Sequence, residues 1–329
     1  MLTRFKYGIF GCAMIMMMLV MSSLDISLSS DVNFADINKN EFFSPVIQKL
    51  IKRGVDTNFI NKIINNPATE FNERFVRINV TGYLSKADYS SQYNNKSVSK
   101  SKDFLKDNLP LLTLAELKYN VPKEVIASVL WVETRHGSYL GSSHVASVYL
   151  STAMCNEKQY IDMNLKNLRE KFKGSDEELT LLENKINERA AKKANWAIEQ
   201  LIALEQIDKF SSTTALELKG SWAGAFGISQ FIPSSYVQWG VDGDGDGDID
   251  LFSLPDAVFS VGNYLKSNGW GDDETDRRNA VFHYNNSSAY VDAVLKLASL
   301  ITDKPAPEIQ AEIPQTETKI RAQAGGQDY

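Results

Sequence analysis

The stretch from Val121 to Gly137 has the pattern of a single core helix, and it constrains the fold more than any other part of the chain. Pro122 suits the first turn of a helix, and Gly137 suits the residue just beyond its end. Between them one stripe repeats at helical spacing and consists of Ile126, Val129, Leu130 and Glu133. Residues at this spacing lie on one helix face. The pattern therefore predicts a helix that carries a carboxyl group on its apolar side.

Glu133 is the unusual member of that stripe, and we expect it to be half-buried. A carboxyl group held against apolar neighbours is disfavoured as an anion, so its pKa rises toward the range in which a general acid works near neutral pH. The alternative is a side chain that turns outward and forms an ion pair with Arg135 or Lys123. The first interpretation predicts a half-buried Glu133 side chain, and the second predicts an exposed one.

Composition limits the class of protein. A chain of 329 residues with 43% hydrophobic and 23% charged residues is globular and long enough for one large domain or two small ones. The net charge of -6 argues against a nucleic-acid-binding protein. Much of the acidity lies in one short loop, which favours a local cation site. We expect a monomer that binds no nucleic acid.

The two ends of the chain differ from the middle. A short basic start and an apolar run from Tyr7 to Met21 are typical of an export signal, so residues 1–29 are predicted to be a signal peptide or an uncleaved membrane anchor. Lipidation at Cys12 is disfavoured because the most apolar residues follow it. We expect a periplasmic protein with one folded domain over residues 30–303. The polar tail 304–329 is predicted to be disordered.

The middle of the chain has mainly helical periodicity. Residues 70–101 are the exception, because the alternation from Phe75 to Val80 fits either a strand or an extended arm. In the charged block 157–204, Gly174 breaks the pattern, and Ser175 with Glu178 has the spacing of a capping box. The predicted helices span about 44–54, 57–65, 102–119, 121–137, 157–204 with that break, 233 onward, 256–268 and 288–302. The sequence thus predicts a mainly α fold with little β structure.

The loop from Asp242 to Asp250 matches the first nine positions of an EF-hand calcium loop. Oxygen donors fall at positions 1, 3 and 5, and the required glycine, Gly247, at position 6. Position 12 is Ser253 instead of glutamate, but Asp256 follows three residues later and can supply the last ligand from the next helix. A flexible Asp-Gly linker is the alternative. We expect a structural calcium site over residues 242–256.

Several motifs occur together in a fixed order. They are Glu133-Thr-Arg-x-Gly137, the segment Gly220–Tyr236, the acidic loop and Asn263-Tyr264. In this order they resemble the membrane-bound lytic transglycosylase B family, over roughly residues 40 to 300. The resemblance is weakest in residues 157–204, where no counterpart of the family's basic pair is found.

The resemblance implies a lysozyme-like, goose-type-like helical core that binds peptidoglycan glycan strands. It implies cleavage of the MurNAc-β-1,4-GlcNAc bond to leave a 1,6-anhydro-MurNAc end, with Glu133 as the single catalytic acid and base. The implied substrate-binding residues are Ser221, Gln230, Tyr264, Tyr284, Asn285 and Tyr290. The implied calcium ligands are Asp242, Asp244, Asp246, Asp248 and Asp256, and the family's loop has the same late acid.

One carboxyl group near the motifs also fits this chemistry. Most glycosidases use two carboxylates, one as acid and one as base or nucleophile. With only Glu133 in an apolar setting, the substrate has to supply the rest: its acetamido group stabilises the reacting carbon, and its 6-hydroxyl attacks. Two rival functions stay open at this stage, a hydrolytic muramidase and a non-catalytic, calcium-stabilised wall-binding module.

Overall fold

The computed structural model describes residues 38–82, 88–211 and 214–302. These residues form a mainly α-helical domain with one two-stranded sheet. The helices are α1 Lys39–Phe42, α2 Ser44–Lys52, α3 Thr57–Asn65, α4 Glu73–Thr81, α5 Asn95–Asp107, α6 Leu109–Tyr119, α7 Lys123–Thr134, α8 Val145–Ala153, α9 Lys158–Lys171, α10 Asp176–Phe210, α11 Pro233–Trp239, α12 Leu254–Ser267, α13 Glu274–Tyr284 and α14 Ser288–Ile301. The strands are β1 Ser143–His144 and β2 Lys219–Gly220.

Helix α7 lies at the centre of the domain. Every residue of α7 from Val125 to Thr134 is buried, and the helix packs against α14, α5, α12 and α6. Pro122 precedes the first turn as the N-cap. Arg135, His136 and Gly137 all have positive φ, so the helix ends abruptly in a left-handed turn. The predicted core helix is confirmed.

A second layer is built on α10, the longest helix. Ser175 and Glu178 form the predicted capping box at its start. The buried face of α10 packs against α8, α11 and α4, and the short 3-10 helix Met154–Asn156. The preceding helix α9 ends at Lys171, before the break at Gly174 that the sequence indicated.

Several parts of the chain differ from the sequence prediction. Residues 73–81, expected to be a strand or an extended arm, form helix α4, because Phe75, Val76, Asn79 and Val80 all face the core at helical spacing. The predicted helix 102–119 is two helices separated at Asn108. Helices α1, α8 and α13 were not predicted. For α13 the signal was present, since Asp273 caps it and acidic residues occupy its first turn.

The small sheet fixes the loop that follows β2. Ser143 pairs with Gly220, and further bridges join Gly220 to Phe226 and Phe226 to Phe231. A Cβ atom on Gly220 would lie 2.1 Å from the Ala225 carbonyl oxygen, so only glycine allows this approach. The segment 220–231 is therefore folded tightly onto itself beside α8 and α11.

The predicted signal or anchor and the predicted tail lie outside the described residues. Within the described ranges, no helix combines the length and the apolar character needed to cross a membrane.

Candidate active site

Glu133 lies in the last turn of α7 and is only 4% exposed. Its Oε1 atom accepts a hydrogen bond of 2.6 Å from the Tyr290 hydroxyl of α14. Burial raises the pKa of this carboxyl from 4.5 to about 8, and the hydrogen bond from Tyr290 acts in the opposite direction. The side chain is more deeply buried than we expected, and at neutral pH it is mainly protonated.

Neither of the ion pairs considered for Glu133 forms. The Lys123 ammonium lies 3.0 Å from Glu116 and 3.5 Å from Glu124. The Arg135 guanidinium lies over the Tyr139 ring, 5.0 Å from its centroid. The carboxyl group of Glu133 therefore faces the interior, as the apolar stripe predicted.

A row of tyrosines extends from Glu133 along α14, α13 and α12. The rings of Tyr290 and Tyr284 are stacked with centroids 6.4 Å apart, and Tyr264 meets Tyr284 edge-on at 4.7 Å. The Tyr264 hydroxyl donates to the His283 carbonyl at 2.7 Å. Burial raises the pKa of Tyr290 well above its usual value. Its hydroxyl therefore stays protonated and acts as the hydrogen-bond donor to Glu133.

Asn285 follows Tyr284 at the end of α13 and is fully buried. Both polar atoms of its side-chain amide lack a hydrogen-bond partner among the described residues, and the same holds for Oε2 of Glu133. Buried polar atoms are almost always paired in folded proteins. Unpaired donors and acceptors beside the tyrosine row are consistent with groups that meet a polar ligand.

Ser221 and Gln230 have their polar atoms engaged with the backbone. The Ser221 hydroxyl accepts from the Ala225 amide at 3.2 Å. The Gln230 side-chain amide donates to the Gly227 carbonyl at 2.9 Å and to the Leu140 carbonyl at 3.2 Å. In this structure both side chains hold the loop after β2 in place, and their predicted contacts with substrate stay a prediction.

The structure brings four of the predicted site residues into direct contact, and the other three lie in segments next to these four. Glu133, Tyr290, Tyr284 and Tyr264 are linked directly, and Asn285 adjoins them in the chain. Gln230 joins through the neighbouring Ser229, whose carbonyl accepts from the Tyr284 hydroxyl at 2.5 Å. The remaining member, Ser221, lies at the start of the same loop, and its backbone amide donates to the Ala225 carbonyl at 2.7 Å.

Sequence reasoning missed two residues of this region. Tyr89 comes from the segment whose structure we could not predict, and its ring meets Tyr290 edge-on at 5.8 Å. Thr134 was part of a motif but had no assigned role, and its hydroxyl donates to the Ile228 carbonyl at 2.9 Å. The acceptor is a backbone atom distant in sequence, so side-chain patterns carried no signal for this bond.

The histidines have structural roles where their contacts are described. His136 stacks on Phe104 with ring centroids 3.7 Å apart and has its Nε2 atom 3.0 Å from the Ala127 carbonyl. Burial lowers the pKa of His136 to about 4, so it is neutral at neutral pH. His144 lies between Ser147 and the Leu216 carbonyl.

The acidic loop brings part of the predicted calcium ligand set together. Carboxylate oxygens of Asp242, Asp244 and Asp256 lie within 4.8 Å of one another. Asp256 is in the first turn of α12, where the sequence placed the late ligand. The other two predicted ligands, Asp246 and Asp248, are not part of this group, and the Asp248 carboxylate accepts from the Ser211 hydroxyl at 2.9 Å.

The chemistry of this carboxylate group fits a hard cation. Burial raises the pKa of Asp256, with a further contribution from the negative charges of Asp244 and Asp242. Backbone hydrogen bonds, the largest from Gly247, lower the pKa of Asp242 and keep it ionised. Converging oxygens with uncompensated negative charge are the donors that Ca²⁺ prefers.

Comparison with known proteins adds to this geometry. The model of the transglycosylase SLT domain family matches residues 38–280, most of the chain. The chain belongs to the transglycosylase SLT domain family. The matched residues include Glu133 and all of the motifs described above.

Three related proteins are informative. Membrane-bound lytic murein transglycosylase B of Escherichia coli K12 is 36% identical over 152 residues, which is 46% of this chain but only 33% of that relative. SltB3 of Pseudomonas aeruginosa, solved with NAG-anhNAM-pentapeptide, has a TM-score of 0.59 at 20% identity and covers 80% of this chain and 79% of its own. The Escherichia coli lytic transglycosylase Slt35, solved with calcium, has a TM-score of 0.59 at 21% identity, with 82% and 94% covered. The predicted lysozyme-like, mainly α fold is confirmed.

Proposed function

We propose that this SLT-domain protein is a peptidoglycan lytic transglycosylase that cleaves the MurNAc-β-1,4-GlcNAc bond and leaves a 1,6-anhydro-MurNAc end. The observation that carries the proposal is a single buried carboxyl group, Glu133, with a pKa of about 8 and a tyrosine hydroxyl on one oxygen. Family membership and the lytic transglycosylases among its relatives point to the same substrate.

Among the residues that the structure describes, Glu133 is the one carboxyl group in this region with the burial that the chemistry needs. The other buried carboxyls in the described part of the chain are Glu205 and Asp256. Glu205 accepts from Lys209 and from the Asp56 amide, whereas Asp256 belongs to the acidic loop. A second protein nucleophile or base, which most glycosidases require, is therefore not evident here.

The proposed reaction uses one group twice. Protonated Glu133 donates its proton to the glycosidic oxygen as the bond to the MurNAc anomeric carbon breaks. The acetamido group of the substrate stabilises the electron-poor anomeric carbon. Glu133, now a carboxylate held by the Tyr290 hydroxyl, takes the proton of the MurNAc 6-hydroxyl as that oxygen bonds to the anomeric carbon. The carboxyl group is then protonated again, and no water is consumed.

The remaining predicted residues are proposed to bind the glycan strand. Tyr264, Tyr284 and Tyr290 suit stacking and hydrogen bonding to sugar rings. Asn285, with both amide atoms unpaired in this structure, suits a polar group of the sugar. Ser221 and Gln230 are proposed to line the same cleft, from the loop after β2.

A calcium ion is proposed to be structural and to be held by Asp242, Asp244 and Asp256, with Asp246 and Asp248 contributing from the same loop. Such an ion would supply positive charge that offsets the crowded carboxylates, and it would take no part in the reaction. The support is the converging oxygens and the calcium present in the Slt35 structure.

We also propose that the protein works outside the cytoplasm on the cell wall, soluble or tethered by its N-terminal segment. The support is the basic start and apolar run of residues 1–29 and a relative that is described as membrane-bound. Fractionation that leaves the protein in the cytoplasm with Met1 intact would contradict this proposal.

The test of the proposed catalytic role is release of muropeptides from purified sacculi. Glu133→Gln keeps the shape of the side chain and removes proton transfer, so we expect release to fall by at least about 10² to 10⁴-fold. A wall-binding module without catalysis would release no muropeptides even as wild type. Near-wild-type release by the Gln variant would remove Glu133 from the mechanism.

A further inference from the structure

We propose that Thr134 is a positioning residue: its hydroxyl fixes the distance between Glu133 and the turn Gly227–Gln230, whose Ser229 carbonyl accepts a hydrogen bond from Tyr284 of the tyrosine row. This inference rests on the proposed function, since the effect of Thr134 is expressed through Glu133. It concerns a residue that touches no reacting atom and acts through its neighbour in the chain.

Thr134 is the last residue of α7 and is 1% exposed. Its hydroxyl donates to the Ile228 carbonyl at 2.9 Å, and the Leu130 carbonyl is a second, longer acceptor at 3.3 Å. The same oxygen accepts from the Gly137 amide at 2.9 Å. One hydroxyl therefore connects the helix that carries Glu133, the left-handed turn after it, and the distant segment at Ile228.

The turn Gly227–Gln230 has three successive carbonyl groups that each accept a hydrogen bond from a side chain. The Gly227 carbonyl accepts from Gln230 at 2.9 Å, the Ile228 carbonyl from Thr134 at 2.9 Å, and the Ser229 carbonyl from Tyr284 at 2.5 Å. Gln230 has a φ of 50°, a conformation that non-glycine residues rarely adopt. These side-chain bonds hold the backbone in a shape that its own propensity does not favour.

Two of those three donor residues, Thr134 and Tyr284, are structurally linked to Glu133. Thr134 is its neighbour in the chain, and Tyr284 is stacked on Tyr290, whose hydroxyl binds the carboxyl group. The turn is thus attached to Glu133 from both sides. Loss of the Thr134 bond would leave the Ile228 carbonyl and the Gly137 amide without their side-chain partner, so we expect the turn and the end of α7 to separate.

A small displacement of this kind has a large effect on rate, because proton transfer requires the acid within hydrogen-bond reach of the glycosidic oxygen. A misplacement of about 1 Å can lower the rate about 10²-fold. Water that enters between α7 and the turn would also weaken the desolvation that raises the pKa of Glu133. The alkaline limb of the pH–rate profile would then move to lower pH.

The test compares Thr134→Val, which removes the hydroxyl at nearly constant shape, with Thr134→Ser, which keeps it. Thr152→Val is the matched control: Thr152 is fully buried in α8, donates to the Val148 carbonyl at 2.7 Å and accepts from Asn79 at 3.1 Å. We measure kcat, KM and the pH–rate profile on soluble glycan strands, with thermal melting of each variant.

We expect Thr134→Val to lower kcat about 10- to 100-fold with little change in KM, and to shift the alkaline limb to lower pH. Thr134→Ser should restore kcat, and Thr152→Val should melt at lower temperature with normal kcat. If Thr134→Val does not fold, Thr134→Ala removes the same hydroxyl without the added methyl group, and the same comparison applies.

Three outcomes overturn the proposal. If kcat of Thr134→Val equals that of Thr152→Val at similar stability, or if Thr134→Ser loses as much as Thr134→Val, the hydroxyl has no positioning role. A wild-type protein that releases no muropeptides overturns the proposed function and the role of Thr134 in it together. An active wild type with an unimpaired Val variant overturns the role of Thr134 alone.

Discussion

Replacing Glu133 with Gln should stabilise the protein at alkaline pH. The carboxyl has an ordinary pKa of 4.5, which applies to the unfolded chain, and burial raises the folded-state pKa to about 8. Between these values the native state holds a proton that the unfolded state lacks, so the free energy of unfolding falls as pH rises. The stabilisation by the protonated Glu133 carboxyl is complete below about pH 4.5 and is lost as the pH rises from there through about 8. The Gln side chain does not titrate and keeps an oxygen that accepts from Tyr290.

The size of this effect follows from the shift. Each unit of pKa difference corresponds to about 1.4 kcal/mol. The interval from 4.5 to about 8 therefore gives about 5 kcal/mol, an upper value because the native state relaxes around a buried anion. We expect the wild type to lose about 3 to 5 kcal/mol relative to Glu133→Gln between acid and alkaline pH. This is a large share of the total stability of a domain.

Urea unfolding of both proteins at about pH 5, 7 and 9, at constant calcium, measures this difference. Other titrating groups cancel because they are common to both proteins. Glu124→Gln is the matched control on α7, since the Glu124 side chain is partly exposed beside Lys123. A difference between wild type and Glu133→Gln that stays constant over this pH range would refute the assignment of a buried, protonated Glu133.

Three further predictions follow from the site. Tyr290→Phe removes the hydrogen bond that lowers the pKa of Glu133, so the alkaline limb of the pH–rate profile should move to higher pH; an unchanged limb would contradict this. Asp256→Ala should reduce the difference in melting temperature between calcium and chelator, which for wild type corresponds to about 2.7 kcal/mol at one hundred times Kd; identical melts for both proteins in both conditions would exclude a calcium site. Asn285→Ala should weaken glycan binding and leave stability nearly unchanged, because its side-chain amide makes no hydrogen bond within the described fold. A large loss of stability with normal KM would assign Asn285 to the core instead.

The sequence predicted the parts of this structure that depend on local patterns. Spacing of apolar residues located α7 and the burial of Glu133, and the capping box located the start of α10. Ligand spacing predicted that the carboxylates of Asp242, Asp244 and the late Asp256 converge, and they do, whereas Asp246 and Asp248 are not part of that group. In each case the signal lies within a few residues along the chain, so no tertiary information was needed.

Features that depend on tertiary contacts were missed. Helix α4 alternates apolar and polar residues like a strand, and its helical state is favoured by packing of Phe75 and Val76 into the core. The partner of Glu133 could not be derived from spacing, because Tyr290 is 157 positions away in the sequence. The Thr134 bond ends on a backbone carbonyl, which leaves no trace in residue type.

The measurement that tests the central claim most directly is the mass spectrum of muropeptides released by the wild-type protein from sacculi in water enriched in heavy oxygen. If Glu133 directs the MurNAc 6-hydroxyl onto the anomeric carbon, the new ends are 1,6-anhydro-MurNAc, lighter by one water than a hydrolysis product and free of heavy oxygen. Reducing-end MurNAc that carries the heavy isotope would contradict the account, because water and not the substrate's own hydroxyl would then be the nucleophile.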